Sequence, residues 1–91
     1  MDAPEATPAQ LARHLLRASD RATLATRRRE DDGQGGWPYA ALVLIAVDHD
    51  ASPLLLISGL AEHTKDIARD DRVALLVDGT AGLDEPLTGP R

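Results

Sequence analysis

A short polar stretch in the second half of the chain has the residue types that bind an anion. Ser58 follows the apolar run at residues 54–57, and Thr64 and Lys65 come six and seven residues later. The run predicts a buried strand and residues 61–69 predict a two-turn helix, so these side chains fall at a strand-to-helix turn. A helix start offers unpaired N–H groups and a partial positive charge. Two hydroxyls and an ammonium could complete an anion site there.

The same residues also have an ordinary structural explanation. Serine commonly caps helices, and an exposed lysine is commonly solvated. Short motifs match by chance at a high rate, so spacing alone favours the structural role over the anion site.

Other polar constellations predict no reaction. His14, His49 and His63 lack the spacing of metal ligands, and separate solvated side chains explain them better. The segment from Asp48 to Ser52 begins like a calcium loop but lacks the glycine and the late bidentate acid. A hairpin turn with Asp side chains bonding the local backbone is the better interpretation. No catalytic residue can be assigned, and no metal is expected.

The composition indicates one small domain. The chain has 91 residues and is 43% hydrophobic, which is enough for a core. It has no Phe and no Cys, so the core must consist of aliphatic residues, and no disulfide supports it. Trp37 and Tyr39 could form a platform for a ring, although filling the core at a strand entrance explains them better. A domain this small is marginally stable alone, so a homodimer is expected.

Charge and hydropathy exclude two classes of partner. The net charge of −5, from 15 acidic and 10 basic residues, is unlike the basic surface of a general nucleic-acid binder. The first ten residues lack a signal-peptide pattern, and the longest apolar run is too short to span a bilayer. We therefore expect a cytoplasmic protein that binds neither nucleic acid nor membrane.

The sequence predicts two helices and four strands. Thr7, Pro8 and Gln10 form a helix start with a capping box. The predicted order is helix 8–18, strands 21–27, 39–47 and 54–57, helix 61–69 and strand 72–77. This order predicts an α+β fold with a mainly antiparallel sheet of about four strands.

Several segments have distinct predicted environments. Residues 39–47 are nearly all apolar, so this strand is predicted to be covered on both faces. Residues 28–36 are charged and glycine-rich and are predicted to form a solvated loop, in which arginines neutralise neighbouring acids. Residues 1–6 and 79–91 are predicted to be flexible ends of a single domain over residues 1–91.

This order resembles the FMN-binding split β-barrel family related to pyridoxamine 5′-phosphate oxidase, and within it the haem-utilisation branch. The similarity covers nearly the whole chain from Leu11 onward. Its segments are residues 12–17 of the first helix, Leu24-Ala25-Thr26, Pro38-Tyr39, Leu42-Val43, residues 54–58, residues 60–65 and Asp71-Arg72-Val73, and the stretch around His63-Thr64-Lys65 is the most specific. The resemblance implies a partial FMN-binding split barrel that corresponds to the N-terminal part of a family member.

The resemblance also implies a cofactor and its site. Ser58, Thr64 and Lys65 would bind the FMN phosphate, with His63 a weaker candidate. Backbone groups near Ala41 and Leu42 would meet the polar edge of the flavin ring, and a second subunit would complete the site.

Where many relatives carry a serine or arginine that reaches the phosphate, this chain has Ala40 and Ala41.

The function that the resemblance implies is that of a flavin-dependent oxidoreductase. The alternatives are a truncated, self-associating remnant without flavin and a haem-handling protein. In the haem-utilisation branch a C-terminal segment bears on haem, and this sequence lacks it. Haem handling is therefore the less favoured alternative.

Overall fold

The chain folds as two helices and a four-stranded sheet. The computed structural model describes residues 7–30, 33 and 35–90. The predicted flexible end at residues 1–6 lies outside this part of the chain. The elements are α1 (Pro8–Ala18), β1 (Arg21–Arg27), β2 (Pro38–Val47), β3 (Pro53–Leu56), α2 (Glu62–Arg69) and β4 (Ala74–Leu76), followed by a 3-10 turn (Pro86–Thr88). The predicted α+β class and the order of elements are confirmed.

Helix α1 begins as the sequence predicts. The Gln10 backbone N–H donates to Thr7 Oγ1 at 3.2 Å, and the Thr7 N–H donates to Gln10 Oε1 at 2.9 Å. Both halves of the capping box are therefore present, and Pro8 occupies the first helical turn. Leu15 and Leu16 pack against the core.

The four strands form one antiparallel sheet in the order β3-β2-β1-β4. Strand β1 pairs with β2 along its full length, from Arg21 opposite Leu44 to Arg27 opposite Pro38. Strand β4 pairs with β1 over only three residues, so it is shorter than the predicted strand 72–77. Strands β3 and β4 are the two edges of this four-stranded sheet.

The core lies on one face of the sheet only. Five apolar side chains are buried there, and both helices pack against the sheet. The buried set is Ala22, Leu24, Val43, Ile45 and Val77. Because side chains alternate along a strand, the neighbours of these residues point to the other side.

That other side of the sheet is apolar and uncovered, and we call it the open face. Its side chains are Thr23, Ala25, Ala40, Leu42, Leu44, Ala46, Leu54, Leu56, Ala74 and Leu76. The five leucines are between 51% and 82% exposed. The prediction that residues 39–47 are covered on both faces is therefore wrong, because both helices lie on the same side of β2.

The last residues turn back on themselves. The Gly79 N–H donates to the Pro90 carbonyl at 2.9 Å, which closes the segment around the 3-10 turn. Flexibility of residues 79–91 stays a prediction.

Candidate functional site

The strand-to-helix turn joins two of the residues that the sequence singles out, Ser58 and Thr64. Ser58 Oγ accepts from the Leu60 N–H at 3.1 Å, and Thr64 Oγ1 donates to the Ser58 carbonyl at 2.5 Å. Helix α2 begins at Glu62, one residue later than predicted, and Ala61 is its N-cap without a side-chain hydrogen bond. Ser58 therefore shapes the turn and does not cap the helix. A helix start without a side-chain cap keeps N–H groups for an anion.

Lys65 stands at this turn beside an acidic neighbour. Its ammonium is 4.0 Å from Glu62 Oε1 and remains about half exposed. Glu62 is bound more tightly by Arg29, whose Nη2 donates to Oε2 at 2.6 Å, and by Arg28 at 3.2 Å. These two hydrogen bonds hold the pKa of Glu62 below its ordinary value. The carboxylate is thus compensated by arginines, and the Lys65 ammonium can still meet an anion.

The remaining predicted site residues lie elsewhere. Ala41 and Leu42 are in β2, opposite Leu24 and Thr23 of β1, where Leu42 is exposed on the open face. Since β3 runs antiparallel to β2, the chain leaving β3 toward Ser58 heads in their direction. His63 Nε2 is buried with no hydrogen-bond partner among the described residues.

A buried charge cluster anchors α2, and sequence reasoning missed it. Asp66 is fully buried on the helix face that meets the sheet. Arg29 Nη1 donates to Asp66 Oδ1 at 2.8 Å, and Arg28 Nη1 donates to Oδ2 at 3.4 Å. The Arg28 guanidinium also lies 5.2 Å from the centre of the Tyr39 ring.

The prediction of a solvated loop is therefore wrong for Arg28 and Arg29. These arginines bind the carboxylates of Glu62 and Asp66, which lie 33 to 38 residues away in sequence. The signal that could have indicated this is the pair Glu62 and Asp66, four apart on one helix face.

A groove of about 410 Å³ opens at the β1–β4 end of the open face, and we call it the alanine groove. Its lining includes Ala25, Arg27, Pro38, Arg72, Val73 and Ala74. Arg27 and Arg72 form the rim of the groove, and Asp70 binds both guanidiniums. Arg72 donates to Asp70 at 2.7 and 2.9 Å, and Arg27 donates to it at 3.4 Å. Hydrogen bonds from Arg72, with a smaller contribution from Arg27, keep the pKa of Asp70 far below its ordinary value.

Trp37 precedes the groove residue Pro38 and is 69% exposed. The interpretation of Trp37 as a core-filling residue is therefore wrong. Tyr39, by contrast, is partly buried beneath Arg28.

The acidic turn between β2 and β3 behaves as predicted. The Asp48 and Asp50 carboxylates accept from the N–H groups of His49 and Ser52 at 2.7 and 2.9 Å.

Within the described residues, no group of three or more histidine or acidic side chains could hold a metal ion. None of the helices described there has the length and apolar character needed to cross a membrane.

Comparison with known proteins finds a similarity to part of a heme oxygenase. It is 34% identical over 71 residues to the chloroplastic non-canonical heme oxygenase HOZ of Arabidopsis thaliana. The match covers 78% of this chain but 21% of HOZ. No protein-family model matches the chain. A cytoplasmic location stays a prediction, since this relative is chloroplastic.

Solved structures share the fold over nearly the whole chain. A heme binding protein from Mycobacterium smegmatis has a TM-score of 0.79 and 27% identity, covering 93% of this chain and 33% of that one. A protein of unknown function from Agrobacterium tumefaciens has a TM-score of 0.72 and 26% identity, covering 96% and 38%. The chain is thus a split-barrel-like α+β protein with haem-related neighbours, and it spans about a third of each of these two proteins.

Proposed function

We propose that this chain is a haem-binding module and that haem handling, not flavin oxidoreduction, is its function. The observation that carries this proposal is the agreement of two independent similarities. One is 34% sequence identity to a heme oxygenase, and the other is a TM-score of 0.79 to a heme binding protein. Haem handling therefore comes before FMN binding, which the sequence alone favoured. Because the chain spans only part of each relative, any activity of the complete protein is also part of this proposal.

The residues present fit a haem in two respects. A porphyrin needs an apolar surface, and the open face supplies one. Its propionates need cations, and exposed arginines stand at the end of that face. Its iron needs an axial ligand such as histidine, and neither exposed histidine lies on the open face: His14 is on α1, on the covered side of the sheet, and His49 is in the turn between β2 and β3. When bound, haem would supply the iron chemistry, and the protein would supply placement and electrostatics.

Haemin is expected to bind the purified chain saturably. Binding should shift and sharpen the Soret band and raise the unfolding temperature. Haemin at a hundred times its dissociation constant stabilises the folded state by about 2.7 kcal/mol if it does not bind the unfolded chain. The measurement is a haemin titration followed by absorbance, with thermal unfolding of the same samples. A Soret band identical to that of haemin in buffer, with no thermal shift, contradicts the proposal.

FMN binding is the second candidate, and the geometry of the turn supports it. Ser58 and Thr64 are joined by a hydrogen bond beside an uncapped helix start, Lys65 follows in the first turn of that helix, and a flavin phosphate carries close to two negative charges. In this proposal His63 is a further contact, and backbone groups of Ala41 and Leu42 meet the flavin ring.

Lys65→Ala is expected to weaken FMN binding by on the order of ten- to a hundredfold, because it removes a charge-assisted hydrogen bond. Thr64→Val should cost less, since it removes a neutral hydroxyl. Arg13→Ala, on the exposed side of α1, is the control. Flavin fluorescence at two salt concentrations measures all four proteins. Equal affinity of Lys65→Ala and the parent would remove Lys65 from the site.

We also propose that the chain forms a homodimer through the β2 and β3 leucines of the open face, which leaves the β1–β4 end of that face for a bound ring. The core contains five buried apolar residues, which is little for an independent domain. An exposed apolar sheet face of this kind is typical of an interaction surface. If neither haemin nor FMN binds, self-association without a cofactor is the function that remains.

A further inference from the structure

We propose that the alanine groove receives the carboxylate end of a haem, with Arg27 and Arg72 as the residues that bind its propionate. This inference rests on the proposed haem binding and names where on the molecule the anionic edge of the ligand lies. The ligand class is an amphipathic carboxylate with a flat apolar body.

The shape of the groove follows from side-chain size. Elsewhere the open face presents leucines, whereas Ala25 and Ala74 form a low floor opposite each other on β1 and β4. Pro38 and Val73 add apolar surface at its sides. The depression of about 410 Å³ is shallow and open to solvent, so it suits one edge of a ligand and not a whole enclosed molecule. The floor continues into the leucines, so an apolar ring can lie on the open face with its polar edge in the groove.

The charges at the rim suit a carboxylate. Asp70 is mostly buried and binds both guanidiniums, which fixes their position. The Arg27 and Arg72 side chains are nevertheless 53% and 80% exposed, so N–H groups remain available on each. Asp71 lies near Arg72 as a second carboxylate, so the rim offers two exposed guanidiniums without a large excess of positive charge. Guanidiniums bind carboxylates in a bidentate, directional way.

A second cavity adjoins the rim formed by Arg27 and Arg72. It measures about 250 Å³ and shares Arg27 and Asp70 with the rim. Arg69 and Glu30 also line it. The site therefore offers a polar continuation beyond the groove, where a charged substituent can stay hydrated.

Trp37 provides a local reporter. It is the single tryptophan of the chain, it is exposed, and it directly precedes Pro38 of the groove. A haem bound in the groove should quench its fluorescence strongly, because the haem absorbs at the wavelength at which tryptophan emits.

The test compares haemin with haemin dimethyl ester, whose propionates are blocked. The parent is expected to bind haemin at least tenfold more tightly than the ester. The double variant Arg27→Gln/Arg72→Gln should lose on the order of ten- to a hundredfold in haemin affinity and little in ester affinity. The control Arg13→Gln/Arg17→Gln makes the same charge change at exposed sites of α1, on the covered side of the sheet, and should behave as the parent. Trp37 quenching and the Soret band are recorded in the same titrations.

A second variant guards against misfolding, since the double variant removes both partners of Asp70. Ala74→Glu places a carboxylate on the groove floor and keeps the Asp70 contacts, and it should also weaken haemin binding at least tenfold. Ala12→Glu, on the exposed side of α1, is its control. Undiminished haemin affinity in the groove variants overturns this inference and leaves haem binding standing. Absence of haemin binding to the parent overturns both.

Discussion

Replacing Leu44 and Leu56 with aspartate is expected to convert a dimer at micromolar concentration into a monomer. The two leucines lie opposite each other on β2 and on the edge strand β3, and both are largely exposed on the open face. In a symmetric dimer the change removes four leucines from the interface and adds four charges. At about 1 kcal/mol for each partly buried leucine, dissociation should be favoured by about a thousandfold or more.

Sedimentation velocity of the parent and of Leu44→Asp/Leu56→Asp tests this expectation. Leu11→Asp is the matched control, because Leu11 is a half-exposed leucine on α1, away from the open face. It should leave the dimer intact. Circular dichroism shows whether the monomeric variant keeps its fold. A folded parent that sediments as a monomer at micromolar concentration, or a double variant that stays dimeric, contradicts the proposed interface.

Local signals were enough to predict the elements of this fold. The capping box at Thr7 and Gln10 and the apolar spacing after it determined both ends of α1. The turn at Asp48 to Ser52 was equally readable, because its carboxylates bond N–H groups one or two residues away. These structures depend on residues close in sequence, which is why the sequence predicts them.

The environment of β2 could not be predicted in this way. Residues 39–47 are nearly all apolar, and such a run fits both a strand covered on two faces and a strand with one face left for a partner. Only the placement of both helices on the side of Val43 and Ile45 distinguishes the two cases. That placement is a tertiary property.

The two candidate sites differ in the same way, because one depends on residues close in sequence and the other on tertiary structure. Ser58, Thr64 and Lys65 lie within eight residues, and the structure joins Thr64 to Ser58 by a hydrogen bond and puts Lys65 beside Glu62. Their role as an anion site stays a prediction. The alanine groove combines β1 with the segment before β4, which are separated by more than forty residues. No sequence spacing indicates such a pairing, so the groove and its arginines were recognised only in the folded chain.

Asp66→Ala is expected to be the most destabilising single change in the described part of the chain. The carboxylate is fully buried and accepts from the Arg29 backbone N–H at 3.2 Å in addition to both guanidiniums. Removing it leaves Arg28, itself nearly buried, without its deepest acidic partner. Breaking a buried ion pair by deleting one partner costs about 3–5 kcal/mol. Small domains have a total stability of only about 5–15 kcal/mol, so much of the fold's stability should be lost.

Urea unfolding of the parent, Asp66→Ala and Asp84→Ala measures the effect. Asp84 is exposed near the C-terminal turn, and its replacement should change the free energy of unfolding by less than about 0.5 kcal/mol. Asp66→Asn should fall between the two, because an amide oxygen can still accept from Arg29 while the charge is lost. The loss should be equal with and without the open-face substitutions, since the cluster lies under α2 on the opposite side of the sheet. An Asp66→Ala protein as stable as the Asp84→Ala control would show that the cluster does not anchor the helix.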